Sequence, residues 1–322
     1  MSLTDAFGLG WGLKMRVMEK WIFDNLQTEK LGLEISPLFR PATDKKVHNV
    51  HYTDYTTTQD NISKHAHYDH PEIVEIDFVW TPGRQLKECA PTNNNYEWAI
   101  ASHVLEHVPD PVGWMLEVFA VLNVGGILSL ALPDRNKCFD RNRNLTEVSE
   151  WIHAWLDEDK RPNSRQLYDF LSNVTTEDGS GTVLDKNHYS KEEALNFTLN
   201  SHSTGQYFDA HCSVFTGHSF TEMINELNYL GIMNVKVSEF KEGFDEFYVQ
   251  LTKVGEPKIN RPDAYLNNAM DIYNLEKDLQ ANIENLEHHK KAYREAIVAQ
   301  NLLKSEISRL KNRSLIKRIL NR

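Results

Sequence analysis

Residues 97–133 constrain the fold more than any other part of the chain. EWAIAS (97–102) and GILSLALP (126–133) are apolar runs of strand length. Between them, PVGWMLEVFAVL (111–122) has the spacing of an amphipathic helix, with Pro111 suited to its first turn and residues 123–126 leading out of it. Upstream, LGLEIS (31–36), NVHYTDY (49–55) and EIVEIDFVW (72–80) read as further strands. The alternation predicts a parallel α/β sheet with helices on both faces. Before it, Leu13, Val17, Trp21, Ile22 and Leu26 predict a helix within an N-terminal segment spanning 1–29.

After residue 133 the alternation stops. Residues 134–210 are polar, with helical patches around 145–157 and 190–199, and read as an insertion over the sheet's edge. GHSFTEMINELNYL (217–230) is a helix with Gly231 as its C-cap. MNVKVSEF (233–240) and DEFYVQLTKV (245–254) are strands joined tightly enough to form an antiparallel hairpin, which ends a main domain of residues 30–256. In residues 262–322, Leu275, Leu279, Ile283, Leu286, Tyr293 and Ile297 recur at helical steps, and Leu303, Ile307 and Leu310 continue the stripe. A helix this long with one apolar face predicts a homo-oligomeric coiled coil. Its end, residues 303–322, carries seven Lys or Arg against one Glu beside Leu315, Ile316, Ile319 and Leu320. A basic amphipathic end of this kind suits the surface of an anionic membrane.

Composition excludes several classes. The net charge of −11 argues against a general nucleic-acid binder. Cys89, Cys138 and Cys212 are scattered, with no C-x-x-C pair, which fits a reducing cytoplasm rather than a disulfide framework. The N-terminus lacks the pattern of a signal peptide, and no apolar run approaches the ~20 residues of a membrane span.

The string SHVLEH (102–107) contains His103, Glu106 and His107, the H-x-x-E-H arrangement of inverted zinc proteases. That chemistry needs a helix, so that the ligands share one face. Here the string follows a strand and is closed by Pro109 and Pro111, which leaves room for a single turn. It lies instead at the C-terminal edge of a parallel sheet, where open α/β folds bind ligands.

The run IASHVLEHVPDPVGWMLEVFAVLNVGGILSLALPD resembles the middle of class I S-adenosylmethionine-dependent methyltransferases. LEISP, YTD, IDFVW, ASHVLEHVPDP, PDRNKCFDRNR and HCSVFT further resemble bacterial methyltransferases found with polysaccharide-biosynthesis (O-antigen or capsule) enzymes, over roughly residues 30–253. The resemblance implies a Rossmann-like sheet of seven strands ending in the antiparallel hairpin. It implies a cofactor site of Glu34, Ser36, Pro37, Asp54, Asp77, Phe78, Ser102 and His103. There, Glu34 orients the first turn, Asp54 accepts from the ribose hydroxyls, Asp77 and Phe78 take the adenine, and Ser102 and His103 flank the methionine portion. Ser36 stands where the family has glycine.

The implied reaction is methyl transfer to a hydroxyl of a cell-surface glycan sugar or its lipid-linked or nucleotide precursor. His107 and Asp134 are the expected base and partner, with His103 beside them. Arg135, Asp140, Arg143 and His211 are the expected acceptor contacts. Metal dependence stays open, with Asp134 and Asp140 as conceivable ligands. Two alternatives stand beside this reading. One is methylation of a terminal glycan phosphate. The other is a non-catalytic scaffold working through the coiled coil.

Overall fold

A computed structural model describes residues 20–66, 72–91, 95–177, 182–262 and 269–320. Leu13 and Val17 lie outside these residues. The chain divides into two units, Met1–Pro262 and Asp263–Arg322.

The first unit is built on a seven-stranded sheet. Its strands are β1 (Gly32–Ile35), β2 (Val50–Asp54), β3 (Phe78–Val79), β4 (Tyr96–Ser102), β5 (Leu122–Pro133), β8 (Val235–Glu242) and β9 (Glu246–Lys253). Between β5 and β8 a separate two-stranded sheet is formed by β6 (Thr175–Glu177) and β7 (Val183–Asn187). The large sheet has the order β3-β2-β1-β4-β5-β9-β8. The first five strands are parallel, and β9 runs antiparallel to both β5 and β8. The strand order reverses between β1 and β4, the crevice at which doubly wound sheets bind ligands.

The helices are α1 (Thr58–Lys64), α2 (Leu86–Cys89), α3 (Pro111–Val121), α4 (Val148–Asp157), α5 (Ser164–Asn173), α6 (Lys191–Thr204), α7 (Gly217–Tyr229) and α8 (Ala269–Leu320). Side-chain alternation along the strands sorts the core into two faces. Ala99 and Ala101 of β4, Leu128, Leu130 and Leu132 of β5, and Phe247, Val249 and Leu251 of β9 share a core with Met115 and Val118 of α3, Trp151 and Trp155 of α4, and Phe220 and Ile224 of α7. Trp98, Ile100, Ala131 and Tyr248 point to the other face and pack with Ile22 and Trp21.

Several expectations are corrected here. The helix predicted across 11–29 is, in its described part, a 3-10 turn at Lys20–Phe23. It is held because Ser129 Oγ donates to Ile22 O at 2.6 Å and Trp98 Nε1 donates to the carbonyls of Gln27 and Lys30 at 3.0 Å. The strand predicted over 72–80 shrinks to two residues, because the backbone pairs with β2 only from Phe78 onward. Residues 134–210 are not one insertion over the edge. Helix α4 belongs to the main core through Trp151 and Trp155. Only α5, α6 and the small hairpin stand apart, around Leu167, Phe170, Leu171, Val174 and Ala194.

Gly32 shows how tightly β1 fits its neighbour. A Cβ there would lie 2.0–2.2 Å from three ring atoms of Trp98, which is fully buried and held at its Nε1. Gly32→Ala therefore overpacks the sheet, and a loss of about 1–3 kcal/mol is expected. A urea midpoint equal to that of the parent would refute this.

The second unit is the helix α8, of 52 residues. Ile283, Leu286, Tyr293, Ile297, Leu303 and Ile307 are all exposed on it. No described helix is long and apolar enough to cross a membrane.

Candidate active site

Every strand end on the C-terminal side of β1, β2, β4 and β5 carries a polar residue singled out by sequence. Glu34 of β1 is buried, and its carboxylate accepts from Ala42 N at 2.6 Å, Thr43 N at 3.0 Å and Thr43 Oγ1 at 2.5 Å. Burial raises its pKa, and these hydrogen bonds oppose the shift. Both oxygens are thus spent on shaping the loop that follows β1. In that loop Ser36 has φ +54° and Leu38 has φ +47°, both left-handed conformations that glycine adopts without cost. For a side-chain-bearing residue each costs roughly 1–2 kcal/mol. Pro37 lies buried between them.

Asp54 ends β2 and is 2 % exposed. Its Oδ1 is buried with no hydrogen-bond partner. Burial raises its pKa, against hydrogen bonds from the backbone N–H groups of Tyr55 and Thr56 and from the side chains of Asn61 and Ser36 to the carboxylate. Asp77 sits one residue before β3, and its Oδ2 is taken by Lys45 Nζ at 2.7 Å and by Tyr52 N at 2.6 Å. Phe78 packs against the main core. Trp80 follows β3 directly and packs against the same core as Phe78; its backbone N–H donates to Asp54 O at 2.8 Å, and its ring lies 5.9 Å from that of Trp114. An aromatic residue closing IDFVW was the available signal for it.

Beyond β4 the charges crowd together. Ser102 closes the strand opposite Ala131. His103 turns with φ +53°, which carries its ring between two buried carboxylates. Nε2 lies 2.6 Å from Glu246 and Nδ1 lies 3.3 Å from Glu106. Burial works against the charged ring, but Glu106 and Glu246 outweigh it and hold the pKa at about 9. Leu105–His107 is a single 3-10 turn, so His103, Glu106 and His107 do not share a helical face.

His107 pairs with Asp209, not with Asp134, its Nδ1 lying 3.0 Å from Oδ1. Its pKa is likewise raised to about 9, despite burial, by the Asp209 carboxylate. Asp134 serves as the cap of the 3-10 turn Arg135–Lys137, accepting from Asn136 N at 2.9 Å. His211 lies edge-on to His107, with ring centroids 4.6 Å apart. Its Nδ1 is 2.5 Å from Asp140 Oδ2. Asp140 also holds Arg143 at 2.8 Å, and Arg143 reaches Asp169 at 2.8 Å. Burial would raise the Asp140 pKa, but His211 and Arg143 pull it well below the usual carboxylate range.

Arg135 donates from Nε to Arg143 O at 2.8 Å, and Arg143 is 2 % exposed. Arg143 is therefore an internal brace, whereas Arg135 is half-buried and ties to the Arg143 backbone through Nε. Asp134 and Asp140 do not act together on one ligand either, since Asp140 is bound to His211 and Arg143. Asp209 was missed because it lies in an irregular stretch 102 residues from its partner.

No family model and no curated protein matches the sequence. Among solved structures, an S-adenosylmethionine-dependent methyltransferase from Methanosarcina mazei is similar at 14% identity and a TM-score of 0.38, covering 73% of this chain and 97% of that one. One from Listeria monocytogenes is similar at 11% identity and a TM-score of 0.35, covering 70% and 92%. The CurJ carbon methyltransferase shows 12% identity and a TM-score of 0.34, over 72% and 51%. The fold assignment rests on the strand order itself. The site's chemistry rests on an unsatisfied acceptor at the end of β2 and a carboxylate–histidine cluster beyond β4.

Proposed function

We propose that the chain transfers a methyl group from S-adenosylmethionine to a hydroxyl of a sugar in a cell-surface glycan or its lipid-linked or nucleotide precursor. The observation that carries the cofactor assignment is Asp54 Oδ1, a buried carboxylate oxygen without a donor at the end of β2. A buried acceptor left unsatisfied costs about 1–3 kcal/mol, and a ribose hydroxyl at this edge would supply the donor. The loop braced by Glu34 would hold the amino-acid end, and Trp80 offers a ring to the adenine.

Bound there, the cofactor would offer its sulfonium methyl carbon to the acceptor oxygen, with the carbon–sulfur electron pair passing to sulfur and the hydroxyl proton to a base. His107, oriented through Nδ1 by Asp209, is the base in this reading, and since its pKa is held at about 9 it acts in the neutral form that gains ground as pH rises towards that value. The glycan acceptor rests on the resemblance of the ASHVLEHVPDP block alone. Arg143, held inside the protein by Asp140 and Asp169, is not available to a terminal phosphate, which needs a free guanidinium, and this disfavours phosphate methylation. The exposed apolar residues of α8 fit pairing with a second copy, and the basic sequence of 303–322 fits contact with an anionic membrane.

Calorimetric titration with S-adenosylmethionine and S-adenosylhomocysteine tests the reading. Asp54→Ala should weaken binding at least about tenfold, the share expected of a hydrogen bond to a charged group. Equal affinity in this variant would remove the assignment. Ser36→Gly tests the scaffold alternative, which the left-handed Ser36 favours. Binding that appears only in Ser36→Gly would mean that the natural chain works without the cofactor.

A further inference from the structure

We infer that Glu106, His107 and His211 form a binding site for one divalent transition-metal ion. The ligand atoms of these three residues lie within 4.8 Å of one another. A tetrahedral ion with bonds near 2.1 Å sets its ligands roughly 3.4 Å apart, so side-chain adjustments of about 1 Å close the site.

Three features distinguish this cluster from a chance meeting of charges. First, Glu106 is fully buried, and the His103 ring, with Nδ1 3.3 Å from Oε1, is its side-chain partner. One ring shared with Glu246 does not fill the lone pairs of a buried carboxylate, which leaves Glu106 an acceptor for a further cation. Second, each histidine is fixed through Nδ1 by a carboxylate, His107 by Asp209 at 3.0 Å and His211 by Asp140 at 2.5 Å. That arrangement sets the tautomer and leaves Nε2 of each ring for a metal, as in carboxylate–histidine–metal sites. Third, the outer partner of His211 is itself anchored, since Asp140 is tied to Arg143 and Arg143 to Asp169. The rings of Phe139 and Phe170 close over His211 at 4.8 and 5.9 Å.

Two imidazoles and one carboxylate, with at least one position open, suit zinc or iron(II). Two consecutive residues of the H-x-x-E-H string are thus ligands. The third comes from beyond α6 rather than from His103, which is engaged by Glu246. Binding must release any proton carried by the ligand histidines. An acceptor hydroxyl bound to the ion would lose its proton more readily, and the ion would then take over the role given above to His107. That catalytic consequence rests on the methyl-transfer reading, whereas metal binding does not.

The experiment is metal titration of the full chain after chelator treatment, without methyl donor or acceptor. Zn²⁺ and anaerobic Fe²⁺ are titrated by calorimetry, and Co²⁺ is followed by visible absorption. One equivalent of metal is expected, with the Co²⁺ bands of a site containing nitrogen ligands. Glu106→Gln and His211→Asn should abolish that binding. Asp209→Asn should weaken it about 10–100-fold, the usual effect of losing an outer-shell carboxylate. Asp209 has a half-exposed side chain, so this variant leaves the core intact. His218→Ala, on an exposed residue of α7, should change nothing. No stoichiometric binding of any of the three ions would overturn the proposal, as would binding that a folded Asp209→Asn variant retains in full. Unchanged cofactor affinity in Asp54→Ala, which would remove the methyl-transfer reading, would leave this result untouched, so the two readings fail separately.

Discussion

Arg143→Met is expected to cost the protein about 3–5 kcal/mol of stability. The guanidinium is 2 % exposed, holds Asp140 and Asp169 at 2.8 Å each, and lies over the Phe170 ring. Methionine fills much of the space but leaves Asp140 as a buried charge facing only His211. Removing Asp140 together with Arg143 should be milder, because the fully buried charge is then gone and only the half-buried Asp169 loses its partner. Urea denaturation of Arg143→Met and of Arg143→Met/Asp140→Asn measures the difference. A single variant within about 1 kcal/mol of the parent would place Arg143 at the surface in solution and return it to the acceptor site.

The second large effect is on pH dependence. Unfolded, the His103 ring titrates near 6.5; folded, its pKa is about 9. A raised pKa means that the folded state binds the proton more tightly. Its contribution is therefore fully present below about pH 6.5 and disappears as pH rises through 9. A shift of this size corresponds to about 3 kcal/mol. His107 adds an effect of the same sign, made smaller by its partial exposure to solvent. Stability of the metal-free chain should fall steadily between pH 6.5 and 9. His103→Gln should flatten most of that slope, and a parent protein of constant stability across the range would exclude the buried imidazolium.

Local pattern revealed the frame of the site but not its chemistry. Strands β1, β2, β4 and β5 and helix α3 were legible because each is a block of apolar residues bounded by a turn or a proline. Helix α5 was not read, since its polar face dominates the composition. Yet Leu167, Phe170, Leu171 and Val174 have helical spacing, and Asn163 with Gln166 forms a capping box. The ends of β1, β2 and β4 could be assigned from order alone. What each side chain does there could not, because it depends on partners far away in the chain. Glu246 lies 143 residues from His103, and Asp209 lies 102 residues from His107. The left-handed backbone at His103, which directs its ring inward, has no signature in the residue type.

Strand β9 separates β5 from β8, so β8 has no neighbour in the sheet until β9 exists. As the chain leaves the ribosome, β8 emerges first and must wait. Until residue 253 has been made, the edge of β5 lies open, with its row of unpaired backbone groups. Lys253 makes the closure explicit: its ammonium group caps the carbonyls of Phe119 at 2.8 Å and Leu122 at 3.2 Å at the end of α3. Birth of the sheet is thus gated by its penultimate strand in space, which is its last in time. The part of the chain most exposed to mispairing during synthesis is the strand beside the active site.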